Sequence, residues 1–136
     1  MQNRVIRLVP RSVFNFTNVQ GSVSVSIPLV SRIDISQYTS VVLSVTVFDR
    51  VVGAANASAS FVLVADASTD WAFVVSSTAL ATVTIDENTS NGTVLIDALD
   101  PASLPAMLTL FVQGTQSSNP TSIQVEVEVD LVLRQQ

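Results

Sequence analysis

Three arginines near the start and two acidic loops are the residues of this chain whose types and spacing suit chemistry. In Asp86-Glu-Asn-Thr-Ser-Asn-Gly92, Asp86, Asn88 and Ser90 fall on alternate positions, as the oxygen ligands of a calcium loop do. The glycine comes one residue late, however, no bidentate Glu closes the loop, and both flanks read as strands. A plain hairpin turn on Asn91-Gly92 accounts for the same residues, so no metal is expected. In Asp66-Ala-Ser-Thr-Asp-Trp71, two carboxylates stand beside the only tryptophan. Trp71 could stack on a pyranose ring, and Tyr38 is a second candidate platform. Trp is highly buried on average, so the preferred reading has Trp71 plugging one end of a core while the acids solvate the loop. A paired-carboxylate glycosidase would need a cleft of fixed carboxyl separation, and nothing else in the chain supports one. Arg4, Arg7 and Arg11 have helical spacing, yet Val5, Val9 and Pro10 favour an extended segment. An arm with arginine tips and apolar residues between them can lie across an acidic neighbour. These three arginines are the candidate assembly contacts; the alternative is a frayed terminus.

The missing residue types narrow the chemistry further. The 136 residues include no histidine, no cysteine and no lysine. Imidazole bases, Ser–His and Cys–His pairs, Schiff-base lysines, P-loops, thiolate metal sites and disulfides are therefore excluded. The expectation is a protein that is not an enzyme and carries no cofactor. Charged residues make up 12% of the chain and hydrophobic ones 48%, against about 25% charged in an ordinary domain. The polar surface must come from Ser, Thr, Asn and Gln, and such a surface suits burial against other subunits.

The net charge of −5 is uneven. The first eleven residues carry three arginines and no acid. The rest sets three arginines against eleven acids, and such a body repels phosphate, so no nucleic acid is expected as partner. No run reaches the roughly eighteen apolar residues of a membrane span. The polar opening Met1-Gln-Asn-Arg lacks an apolar h-region, which predicts intracellular synthesis. Sequons at Asn15, Asn56, Asn88 and Asn91 are then without consequence.

The elements that must position these residues are strands. From Ile123 to Leu133 the apolar residues occupy every second position, with Val125, Val127, Val129 and Leu131 predicted to face a core. Similar alternation marks Ser22–Leu29 and Val41–Phe48. Shorter strands are predicted at Val13–Thr17, Ala59–Ala65, Leu80–Ile85 and Met107–Gln113, with Thr93–Ala98 as hairpin partner of Leu80–Ile85. Gly21 is read as a turn, Gly114–Thr121 as a loop, and Asp100-Pro101 as a helical first turn that Pro105 stops. The sum is an all-β, antiparallel β-sandwich of jelly-roll type with about eight strands. An extended N-terminal arm over 1–12 would precede a sandwich domain over 13–136.

In length, texture and strand order the chain resembles the small β-sandwich head-decoration (cement) proteins of tailed bacteriophages. The stretches that carry the likeness are Ile35–Val47, Leu80–Ile85, Leu110–Gln116 and Val125–Leu133. The resemblance implies a structural virion protein on the capsid surface, made in the host cytoplasm. It also implies the major capsid protein as partner and a homo-oligomer, with a trimer favoured. A carbohydrate- or receptor-binding module of a virion or tail is the alternative.

Overall fold

The computed structural model describes residues 3–30, 38–52, 57–64, 79–99 and 107–134. The described residues form an antiparallel β-sandwich without a helix. Its strands are β1 (Asn3–Val30), β2 (Ser40–Val52), β3 (Ala57–Val64), β4 (Ala79–Asp86), β5 (Val94–Leu99) and β6 (Met107–Arg134). β6 is the hub, pairing with β1 along nearly its whole length and with β2 and β3 on its other side. β5 extends the sheet from β2, and β4 extends it from β3.

Two half-sheets result, ordered β1-β6-β2-β5 and β1-β6-β3-β4. Each 28-residue strand serves both halves. The fold between them lies where Val19 pairs Thr121 but Gly21 pairs Gln116, so that residues 117–120 oppose Gln20 alone. Surplus residues on one strand of a pair break the ladder and bend it. The pairing is nested: β1 and β6 form the outermost pair, and β2–β5 and β3–β4 are inner pairs.

Period-two patterning puts one apolar set inside. Val41, Leu43, Val45 and Val47 of β2 and Val125, Val127, Val129 and Leu131 of β6 are all buried, as the alternation predicts. They share one cluster with Ala59, Phe61 and Leu63 of β3 and with Val83 and Ile85 of β4. Phe14 meets Phe61 edge-on, with ring centroids 5.7 Å apart and planes at 82°. Gly114 makes room for Phe16: a Cβ there would stand 2.9 Å from the ring's Cγ, too close without displacement.

Several expectations are corrected. Residues 3–12 are extended but do not stand apart, because they are the first part of β1 and pair with β6 from Asn3↔Arg134 onward. Pro10 does not end the strand. It sits on an edge, where its missing N–H costs no ladder bond, and register shifts at Arg7/Val9 and Val9/Ser12 bracket it. Gly21 is not a turn and Gly114–Thr121 is not a loop, since both lie within long strands at or beside the fold between half-sheets. β5 is not the hairpin partner of β4: it pairs with β2, so residues 87–93 cross from one half-sheet to the other. Among the described residues there are six strands, the two long ones each passing through both halves. The expected helical first turn at Asp100-Pro101 lies outside the described residues, as do Asp66–Asp70 and Trp71.

Candidate interaction surface

The outer face of the β1-β6-β2-β5 half-sheet can be read row by row from its register. One row runs Val5–Val132–Val42–Ala98 and is apolar across all four strands. The next runs Arg7–Asp130–Ser44–Ile96, and Thr46 and Val94 stand beside Glu128 in the third. Val5 is 57% exposed, Ile96 65% and Val94 54%. Apolar residues scattered singly on a surface are ordinary. Here they are neighbours, an unbroken row that turns down β5.

Beside that row lies an ion ladder. Arg7 donates from Nε to Asp130 Oδ1 at 2.7 Å, and its Nη1 is 3.4 Å from Glu128 Oε1. Arg11 donates from Nε to Glu126 Oε2 at 2.5 Å, with its guanidinium 4.0 Å from the centre of the Phe48 ring. The acidic neighbour expected for the arginines is thus their own β6, reached because antiparallel pairing lays the basic first residues beside the acidic last strand. Arg4 is exposed at the end of the same strand.

The side-chain hydrogen bond to Asp130, followed by the attraction of that carboxylate, raises the Arg7 pKa above its ordinary value. Burial opposes the shift, and Glu128 adds to it. A raised pKa on a cation gives stability that is fully present below the ordinary arginine range and is lost only as pH rises through the raised value. The destabilisation caused by Arg7→Gln should therefore be the same at about pH 6 and about pH 9, well below that range. Thermal melts of both proteins at the two values check this, and a penalty that shrinks between them would place another titrating group in control.

The opposite outer face, on β1-β6-β3-β4, differs in chemistry. Ser60 pairs with both Gln113 and Thr84, and Ser58 with Thr115. The Ser60 and Thr84 hydroxyl oxygens are 3.1 Å apart. Phe111 and Val62 occupy outward register positions at one end of this face and are nonetheless buried.

The Asp86–Gly92 segment is closed by its own groups. Asp86 Oδ1 accepts from the Asn88 N–H at 2.9 Å and from the Thr89 hydroxyl at 3.4 Å. The Gly92 N–H donates to the Val47 carbonyl at 2.7 Å, and Arg50 Nε donates to the Thr89 carbonyl. Gly92 has φ +84°, a conformation that needs no Cβ. The segment is a turn onto β2, in which Asp86 Oδ1 accepts both of those bonds. Adding calcium or EDTA should leave the melting temperature unchanged, whereas a calcium-linked rise would make the loop a site. Among the described residues no group of three or more acidic, histidine or cysteine side chains could hold a metal.

Tyr38 is half-buried and packs against the core. The apolar row was missed in the sequence because Val5, Val132, Val42 and Ala98 come from four strands; only their register assembles them. A partial signal was present in the alternation of Val94, Ile96 and Ala98. Together these features define an antiparallel β-sandwich with one apolar, ion-laced outer face and one hydroxyl-rich outer face. No protein-family model, no curated protein and no solved structure matches the chain.

Proposed function

We propose that this protein is a non-enzymatic structural component of a phage virion. In this reading it binds the surface of the assembled capsid, with the major capsid protein as partner, and reinforces it. The observation that carries the reading is the apolar row Val5–Val132–Val42–Ala98, which offers a contact four strands wide with no charged side chain in the row. The nested pairing, taken as a jelly roll, supports it as well, because that architecture is common in capsid and lectin domains. Virion localisation after synthesis in the host cytoplasm and assembly as a homo-oligomer belong to the same proposal.

The test is co-sedimentation with empty shells of the co-encoded capsid protein. Wild type should pellet with shells, and Val5→Lys/Ala98→Lys should stay in the supernatant with its fold intact. Equal binding by the variant would remove this face as the contact. A carbohydrate- or receptor-binding role on a virion or tail is the second reading. The uncharged array of Ser58, Ser60, Thr84, Gln113 and Thr115 favours it, since such groups can exchange hydrogen bonds with sugar hydroxyls. Affinity for a glycan array with none for any shell would choose it over the first.

A further inference from the structure

The edges of a sheet carry unpaired backbone groups, and proteins commonly guard them with charge, proline or bulges. Edge β1 has such guards in Arg4, Arg11, Pro10 and two register shifts on either side of Val9. On edge β4, the Thr82 N–H is taken by Asp97 Oδ2 at 2.8 Å. Among the described residues, β5 has none of these guards. Its one charged residue, Asp97, is the group spent on Thr82, and its exposed positions are Val94, Ile96 and Ala98.

The ladder fixes which of its backbone groups are open. The Val47 N–H donates to the Thr93 carbonyl at 2.9 Å. In an antiparallel pair the bonded positions alternate, so Leu95, Asp97 and Leu99 turn their peptide groups toward β2. Val94, Ile96 and Ala98 turn theirs to the open edge. The residues with open backbone groups are thus the same ones with exposed apolar side chains.

We propose that β5 pairs with β5 of a second copy, antiparallel about a two-fold axis through Ile96. In that register Ile96 faces Ile96 of the second copy and Val94 faces its Ala98. Every open N–H and C=O of the three residues then finds a partner. Apolar side chains meet apolar side chains on the outer face, and Asp97 stands opposite Leu95 rather than opposite another acid. Shifting the axis to Asp97 would set two acids opposite each other, and shifting it to Leu95 would put Ala98 against the turn at Gly92. The residues of the edge therefore select their own copy as the partner, in an isologous contact that closes at two subunits. A dimer stands in place of the trimer that the family resemblance implies, and it does not depend on the capsid reading.

The test is sedimentation equilibrium of the full chain from about 1 to about 100 µM, a range that brackets ordinary dimer affinities. Wild type should pass from monomer to dimer. Ile96→Lys, at a solvent-facing position, should keep its melting temperature and weaken dimerisation at least tenfold. Ile96→Pro, which removes an N–H facing the open edge and no ladder bond to β2, should also weaken dimerisation. Val5→Lys, on the same face but the far edge, should dimerise like wild type. Hydrogen exchange gives a readout free of substitutions: the Ile96 amide should become protected as concentration rises. A wild-type monomer throughout, a trimer, an Ile96→Lys protein that dimerises normally, or an Ile96 amide indifferent to concentration would each overturn the proposal.

Discussion

Val127→Asp is expected to abolish the cooperative unfolding transition at neutral pH. Val127 is fully buried in β6, between Ser12 of β1 and Val47 of β2. An isolated carboxylate at such a site costs several kcal/mol, on the order of a domain's whole stability margin. Desolvation would raise the new carboxyl's pKa, so part of the lost stability should return as pH falls and the group becomes neutral. Circular dichroism melts at neutral and mildly acidic pH check both parts. An unmoved midpoint at neutral pH would mean that Val127 does not face the core.

Deletion of residues 1–11 is the second large effect. Read as a free arm, this segment should be dispensable for folding; read from the register, it is not. The deletion takes from β6 the strand paired to Val129–Arg134 and breaks all three arginine contacts of the ion ladder. It also removes Val9, which is buried, and Ile6 and Leu8, which pack against the core. Burying one such side chain is worth about 1.5–3 kcal/mol, so the loss should reach about 4 kcal/mol with the two partial contributions added. The midpoint of urea unfolding should fall sharply, while Arg7→Gln/Arg11→Gln should move it far less, since exposed ion pairs contribute little. A truncated protein with the wild-type midpoint would restore the free-arm reading.

Much of the sandwich was legible because one face of each central strand is wet. In β6, Gln124, Glu126 and Glu128 alternate with Ile123, Val125 and Val127, and the burial of the second set follows from that spacing alone. The arm was misread for a related reason. β1 is an edge strand, so it tolerates Pro10 and exposes Arg4, Val5 and Arg7, and its pattern looks irregular. Local sequence also does not encode which strands pair. The Arg7–Asp130 contact joins residues 123 positions apart, and it becomes visible only after β1 and β6 are laid side by side. The same holds for the apolar row. The β4–β5 connection failed differently. Asn91-Gly92 is a strong hairpin signal, but the Gly92 amide turns to Val47 of β2 instead.

The hub position of β6 bears on how the chain reaches this state. The three strands that pair with β6 all precede it, so during synthesis none of them has its central partner until the hub emerges. Among the described residues β2 meanwhile has only β5, and β3 only β4. Isolated two-stranded units are marginal in water, and closing loops as long as the one between β1 and β6 must precede any gain from their pairing. Folding should therefore be slow, in the millisecond-to-second range of topologies dominated by distant contacts. Its rate-limiting step should involve the Val125–Leu131 segment, and until then the unpaired β1 and β2 edges would be open to a ribosome-bound chaperone or to neighbouring nascent chains.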